Sequence, residues 1–534
     1  MNRYYQPGLF EQDLDNIKQF YHQQGFLGMR ILSHQVKGES RHRVFIHLTL
    51  EEGERTFVEG VDLFGNRAFP DSVLKPVIKV IPGRPLLAKE IDQSQTALLQ
   101  YYAEAGFLDA AVTAEVKTDD QSHRAIVDFQ IIENHISRLK RIICKGLEKT
   151  RPVVVLREIR IDSGDVIQYS KLLEAQKRIY LTGLFNYVYI KPDPSGPDSA
   201  SMRDIDVDVQ EHPYGEFNIS AGYGSEDKVR TRIEMAKKNI GGTARNIGLQ
   251  TWLSFIQRGI MVSATNPWLF NQSIDADLNF LLEFSNEPGY DFYRSGGQGI
   301  LGKRLGSFVK IRLTLRQDFT RFTHVEIMPE DQSKANIRSV KGSVTYDTRD
   351  NLFDTKTGAF GEFSYELARA VFEKRLIFHR YEGEYKIFRT IGPLVIGSGI
   401  AFGWLETAAG ISNIPLNERY YAGGQGSVRG FDYQKIGPLN SKGIPTGGLT
   451  RIVWHVGELR HPLFRSLGGA FFCDAGNCWE KIPRDGRFHL RSSAGYGLRF
   501  HSFLGVIRID YAWKLDRRRG EKAGALVFNM GNAF

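Results

Sequence analysis

Phe217-Asn218-Ile219-Ser220-Ala221-Gly222-Tyr223 alternates without a break, with Phe217, Ile219, Ala221 and Tyr223 on one face of an extended chain and Asn218, Ser220 and Gly222 on the other. A period of two marks a strand, because successive side chains point to opposite faces. From Tyr214 onward helical periodicity disappears, and segments of about ten residues alternate strictly, each closed by Gly, Asn, Asp or Pro. Near the end, Ile507, Ile509, Tyr511 and Trp513 face one way while Arg508, Asp510 and Ala512 face the other, so charge sits where a polar lumen would be. A soluble sandwich would turn its apolar face inward, and alternation alone does not separate the two architectures. Two features favour lipid: aromatic residues such as Trp268, Phe270 and Trp479 gather at strand ends, and the strands number about sixteen, an even count that lets a bacterial barrel close. Closure removes the exposed edges that so long a sheet must otherwise protect.

The last strand, Gly524 to Phe534, carries Leu526, Phe528, Met530 and Phe534 on one face. A terminal aromatic strand of this kind resembles the β-signal of outer-membrane barrels. Composition agrees with a barrel and excludes other classes. The chain has 534 residues, enough for two or more folding units. Its longest weakly polar run, Ile391 to Leu405, is broken by four glycines, a proline and a serine, so no segment reaches the ~20 apolar residues of a spanning helix. A net charge of +9 comes from Lys and Arg spread among acids along the whole chain, which argues against a nucleic-acid surface. Cys144, Cys473 and Cys478 are too scattered for a disulfide framework or a zinc site, and no cofactor or metal is expected. If Asp474 points into the barrel, Cys473 points to lipid and Cys478 falls in a turn. Met1-Asn2-Arg3-Tyr4-Tyr5 lacks the apolar core of a secretory signal, which predicts either removed export information or a fragment.

The first two hundred residues read differently. Tyr21-His22-Gln23-Gln24-Gly25-Phe26 recurs as Tyr102-Ala103-Glu104-Ala105-Gly106-Phe107, 81 residues later, with a looser copy at Gly183-Leu184-Phe185. Each copy ends an amphipathic helix, as Ile91, Leu98, Leu99 and Tyr102 show by their spacing, and the glycine suits a helix C-cap. Alternating text follows, in Ala125 to Ile131 and Ile205 to Val209, and strands entering glycine turns precede, in Val61 to Asn66 and Ile142 to Gly146. The unit is strand, helix, helix, strand, strand over about 80 residues, a small α+β module. It resembles the polypeptide-transport-associated (POTRA) domain. The resemblance gives a partial module at 1–56 lacking its first strand, modules at 57–136 and 137–213, and a barrel at 214–534. It implies a periplasmic arm whose sheet edges accept unfolded chains by β-augmentation, with an inert spacer as the plainer alternative.

Between the eleventh and twelfth strands lies Glu406 to Thr450, too long for a mere connector. It contains Pro415-Leu416-Asn417-Glu418-Arg419-Tyr420-Tyr421-Ala422-Gly423-Gly424-Gln425-Gly426-Ser427-Val428-Arg429-Gly430-Phe431. No Lys-Ser/Thr pair and no strand-to-helix context make its glycines a phosphate cradle. The stretch resembles the loop-six signature of the BamA/TamA assembly-factor superfamily, centred on Val428-Arg429-Gly430-Phe431 and supported by Glu418, Arg419, Gly423 and Gly424. Phe472-Cys473-Asp474-Ala475-Gly476-Asn477 resembles that family's strand-thirteen motif, and by this resemblance Arg429 pairs with Asp474, with Gly476 beside it. Asp347-Thr348-Arg349-Asp350-Asn351 with Gly358 resembles its eighth-strand turn, although Asp354-Thr355-Lys356 stands where a proline is common.

The resemblance implies a protein-assembly machine of the outer membrane, not an enzyme, that receives unfolded barrel clients through its modules. Insertion would occur at a seam between the first and last strands, carrying Phe217 and Ile219 on one side and Leu526, Phe528 and Phe534 on the other. Implied partners are client proteins, membrane lipids, and accessory lipoproteins or an inner-membrane protein. A two-partner-secretion channel is the alternative; it usually carries two modules and a plug helix. A passive porin leaves the repeats and the loop unexplained, and no His-Glu-x-x-His, Gly-x-Ser-x-Gly or Cys-His spacing supports catalysis. Traces of three modules suit either a nearly complete TamA-like chain or a BamA-like chain cut midway.

Overall fold

The computed structural model describes residues 5–40, 43–119, 121–193, 201–270, 272–327, 334–352, 354–370, 376–483, 486–502 and 505–530. Two compact units result, Met1–His212 and Pro213–Phe534. Phe534, expected at the seam, lies outside the described residues.

The first unit opens with helix α1 (Pro7–Gln23) and the antiparallel hairpin β1 (Arg30–Ser40) and β2 (Arg43–Glu51). Next come β3 (Phe57–Phe64), α2 (Asp71–Leu74), α3 (Ala88–Glu104), β4 (Ala111–Asp119) and β5 (Arg124–Ile132), and the same order returns as β6 (Arg138–Lys145), α4 (Pro152–Ile159), α5 (Tyr169–Leu181), β7 (Phe185–Pro192) and β8 (Met202–Glu211). In each complete module the last strand is central, parallel to the first strand and antiparallel to the second: β3-β5-β4 and β6-β8-β7. Helix α3 buries Ser94, Leu98 and Tyr102, which its 3.6-residue turn aligns on one face against Val58, Val127 and Phe129. Truncating Leu98 to alanine there costs ~2–5 kcal/mol. The Tyr102 hydroxyl donates to Glu133 at 2.9 Å, and burial together with that carboxylate pushes the phenol above its ordinary range.

The recurring Tyr-x-x-x-Gly-Phe has a physical origin. Gly106 adopts φ +96, the Phe107 N–H donates to the Tyr102 carbonyl at 2.9 Å, and the two rings meet at 5.7 Å. Gly25, with φ +91, does the same with Phe26 and Tyr21, at 3.0 Å and 5.8 Å. This is a Schellman cap with its apolar contact, so glycine, phenylalanine and tyrosine are all required. The modules are joined just as repetitively. Thr56 N–H donates to Gly25 O (2.8 Å) and Leu86 N–H to Thr56 O (2.9 Å), while Ser137 N–H donates to Gly106 O (2.8 Å) and Ile167 N–H to Ser137 O (2.9 Å).

In the second unit sixteen antiparallel strands follow in chain order and close on themselves. They are β9 (Gly215–Gly224), β10 (Lys228–Ile240), β11 (Arg245–Leu253), β12 (Gln257–Asn266), β13 (Ile274–Glu287), β14 (Tyr290–Leu305), β15 (Val309–Thr323) and β16 (Lys334–Asp347), then β17 (Gly358–Ala370), β18 (Ile377–Ile391), β19 (Leu394–Glu406), β20 (Thr450–Phe464), β21 (Leu467–Trp479), β22 (Arg491–Ser502), β23 (Gly505–Lys514) and β24 (Gly524–Met530). The faces are inverted relative to a soluble sandwich. Leu278, Phe280 and Leu282 on β13 are 56%, 64% and 61% exposed on the outside, whereas Asp318, Ser343, Glu366 and Asp510 are buried within. An apolar exterior around a polar interior is stable only in lipid, which decides between the two architectures that alternation left open.

Closure is uneven. Strands β14 and β15 pair from Asp291↔Thr323 through Leu305↔Val309, while β24 meets β9, among the described residues, at Asn529↔Gly224 and Met530↔Tyr223. One sequence expectation needs correcting: Cys478 lies not in a turn but in β21, buried against the long loop, with its thiol donating to the Tyr420 carbonyl at 3.1 Å. Strand β21 runs on past Gly476 because Leu449 N–H, where the loop returns, donates to Trp479 O at 2.9 Å.

Candidate functional site

Residues 407–449 do not leave the barrel mouth as an open loop but fold back into it. Ile414, Leu416, Tyr420, Ala422, Val428, Phe431 and Ile436 are buried there, most of them in one cluster with Ile337, Phe378, Leu405 and Cys478 from the wall. Apolar loop residues inside a polar lumen need such a lining to leave water, and the main-chain polar groups that enter with them must find partners. Bridges Tyr420↔Gly448 and Ala422↔Ile436 supply some of them.

Two groups of charges fix this loop. At its tip, Arg429 sends Nε to Asp474 Oδ2 (2.6 Å) and Nη2 to Asp474 Oδ1 (2.9 Å), and its backbone N–H also donates to Oδ2 (3.3 Å). Nη1 reaches Glu458 (3.1 Å) and Asp510 (3.3 Å), and the guanidinium lies 3.5 Å over the Phe472 ring. His455 Nδ1 stands 2.9 Å from Asp474 Oδ1, and Arg499 pairs with Asp510. The fork of the guanidinium matches the carboxylate, and the aromatic face takes its remaining surface. Since the Asp474 side chain is 0% and that of Arg429 10% exposed, the pair belongs with buried ion pairs, where removing one partner costs ~3–5 kcal/mol. Alternation along β21 brings Phe472, Asp474 and Gly476 to the lumen together; a Cβ on Gly476 would stand 2.8 Å from Val428, so that glycine makes room for the loop. Gly430, at φ +90, lies against Ala512, and Phe431 takes Arg491 and Lys514 over its ring at 4.7 and 4.9 Å.

The second group is eleven residues upstream, on the opposite run of strands. Glu418 accepts from Arg316 Nη1 (3.2 Å) and from Arg380 Nη2, while Arg380 also donates to the Glu418 carbonyl (2.9 Å). Both arginines share Glu366, at 2.9 and 3.3 Å, and Arg316 contacts Asp318 at 3.2 Å. Arg316, Glu366 and Arg380 were not singled out in the sequence; the available signal was charge at inward positions of β15, β17 and β18. Arg419, next to it, donates to the carbonyls of Ile414 (3.0 Å) and Thr446 (2.8 Å). Gly423 and Gly424 both adopt φ +102, and next to them Gln425 N–H donates to Glu226. Tyr433 and Gln434 donate to Glu287 at 3.2 and 2.9 Å.

At the eighth-strand turn Arg349 grips Asp347 through Nε (2.9 Å) and Nη2 (2.7 Å) and stacks on Phe360 at 4.5 Å. Of the expected seam residues, Phe217, Ile219 and Leu526 face outward and exposed, and Phe528 packs its ring 5.7 Å from Tyr223 across β9 and β24. Beside the tip anchor, a lumen cavity of about 1270 Å³ is bounded by Arg230, Glu283, Arg429, Glu458, Arg499 and Arg508 among others. Among the described residues no group of three or more His, Cys, Asp or Glu could hold a metal ion.

This arrangement, a closed barrel with its long loop pinned inside by an arginine that grips an aspartate of the thirteenth strand, coincides with a family match: residues 239–534 fit the Omp85 superfamily domain. The chain belongs to the Omp85 superfamily. Residues 56–134 and 137–212 of this Omp85 chain match the POTRA repeat, described as the surface antigen variable number repeat. It is 24% identical to the outer membrane protein assembly factor BamA of Neorickettsia risticii, across 99% of this chain and 73% of that protein. It is 24% identical to BamA of Nitratidesulfovibrio vulgaris across 98% and 68%. Among solved structures, BamA from Haemophilus ducreyi lacking POTRA domains 1-3 superposes with a TM-score of 0.75 at 18% identity, covering 89% of this chain and 99% of that one. CdiB from Acinetobacter baumannii gives 0.50 at 14% identity, covering 98% and 97%.

Proposed function

We propose that this Omp85 chain is an outer-membrane protein assembly factor, with its POTRA modules in the periplasm and its barrel in the membrane. The observation that carries the reading is its likeness to assembly factors named BamA along nearly its whole length. A two-partner-secretion role, the alternative raised by the sequence, is the weaker fit, as the relatives matched along nearly the whole chain are named assembly factors.

Unfolded barrel proteins first add strands to the module edges, β4 and β7, whose outer main-chain groups have no neighbour within their own sheets. They then pair at the seam between β9 and β24. The client's own apolar burial in lipid drives insertion, so neither a nucleotide nor a covalent step is required. Arg429 and Asp474 hold the loop in one pose during this exchange, with Val428, Gly430, Phe431 and Gly476 packing around them and Glu418, Arg419, Gly423 and Gly424 supporting the approach.

The test is the folding rate of a small unfolded outer-membrane barrel added to liposomes, with and without the reconstituted protein. Acceleration that is lost in Arg429→Ala supports the reading. No acceleration by a correctly folded wild-type barrel refutes it.

A further inference from the structure

Strand β10 faces the seam only across β9, yet one of its side chains reaches the far side. Arg230 pairs in register with Gly222 of β9. Its guanidinium donates to Asn529 Oδ1 (2.7 Å) and to the Met530 carbonyl (3.3 Å) on β24, and to Asp227 Oδ2 (3.1 Å) in the β9–β10 turn. The path exists because β9 has no side chain in the way. A Cβ on Gly222 would stand 2.6 Å from Met530 O and 2.9 Å from Arg230 Nε, so any other residue there closes the passage.

The turn that supplies Asp227 makes two further contacts with consecutive residues. Ser225 N–H donates to Phe528 O (2.9 Å), and its Oγ accepts from Phe528 N–H (2.7 Å), which extends the seam by one side-chain rung. Glu226 accepts from Gln425 N–H in the long loop, four residues before Arg429, and its carboxylate fills the space a Cβ on Gly424 would need. Ser225 therefore holds the last strand, Glu226 the loop and Asp227 the arginine.

We propose that Arg230 is a positioning residue that latches the last barrel strand to the second, and that the Ser225-Glu226-Asp227 turn couples this latch to the seating of the long loop. The latch rests on the seam reading above, but it makes a separate claim about the resting protein. Charge-assisted hydrogen bonds bridge β10 to β24 across β9, adding to the main-chain pairing side-chain contacts that can exchange partners. Withdrawal of the loop from Glu226 frees the turn and, through Asp227, loosens Arg230.

Hydrogen exchange of the full chain in lipid bilayers, read by mass spectrometry, tests this without a client. Arg230→Met is expected to speed exchange of peptides within 215–224 and 524–530 by about ten-fold or more, and to leave β14 and β15 unchanged. Arg230→Lys, which keeps the charge and loses the fork, should fall between. Glu226→Ala should speed exchange both around Gln425 and in the seam peptides. Unchanged seam exchange in Arg230→Met overturns the latch, and faster exchange around Gln425 alone in Glu226→Ala overturns the coupling. Should Arg230→Met not fold, Asn529→Ala removes the acceptor on β24 instead; about three-fold faster seam exchange supports the latch, and no change overturns it. Client folding is scored separately. A wild-type protein that accelerates folding while Arg230→Met leaves the seam unchanged rejects the latch alone, whereas a working latch in a protein without client acceleration rejects the assembly reading alone.

Discussion

The wall between β14 and β15 and the junction between β24 and β9 belong to one sheet, and the second adds side-chain bonds to its main-chain pairing. The first is a continuous ladder from Asp291↔Thr323 to Leu305↔Val309; the second, over the described residues, has Asn529↔Gly224 and Met530↔Tyr223, supplemented by Ser225 and Arg230. A main-chain ladder opens only if many rungs break together, while side-chain bonds break singly and can be replaced by another chain's groups. At this junction side chains of β10 and of the β9–β10 turn therefore share the holding with the main chain.

The strongest way to break the comparison is to remove the difference. A disulfide formed by Tyr223→Cys with Met530→Cys, which occupy directly opposed positions, should reduce client folding to the unassisted rate and release it again with reductant; the same pair built at Ser295 and Phe319 on the back wall should change nothing. Asp474→Ala leaves Arg429 without its bidentate partner and is expected to cost the barrel ~3–5 kcal/mol, seen as a lower denaturant midpoint and protease cleavage within 407–449. Glu418→Gln should cost less, ~1–3 kcal/mol, because Glu366 and Asp318 still compensate Arg316 and Arg380; cleavage should then appear near residue 418 while the tip stays protected. Ser225→Ala removes one seam rung worth ~1 kcal/mol, and hydrogen exchange should report it at Phe528 but not in β15.

Much of the fold is legible in the chain because its signals are local. Alternation from Phe217 to Tyr223 reports a strand, and Tyr102, Gly106 and Phe107 report a cap, since each pattern is complete within a few residues. Closure of sixteen strands is legible only as a count, and the register is not, because it is set by neighbours across the sheet. At the candidate site, Arg429 and Asp474 are 45 residues apart and were named through motif resemblance rather than spacing. The partners of Glu418 have no such signature: Arg316 and Glu418 are 102 residues apart, and an inward charge on a barrel strand looks the same in sequence whether it faces water or a partner. Cys478 was misplaced for a related reason. The strand's end is fixed by the returning loop at Leu449, and nothing adjacent to Cys478 reports that contact.

The joints of the N-terminal unit carry a mechanical consequence. Gly25, Thr56 and Leu86 build one joint and Gly106, Ser137 and Ile167 the next, every member displaced by 81 residues. Linkages that repeat the same main-chain bonds fix each joint at corresponding residues rather than leaving it to an unrelated hinge. An arm built this way changes its reach in whole steps: duplicating one 81-residue cassette would lengthen it by a module while leaving every existing joint as it was.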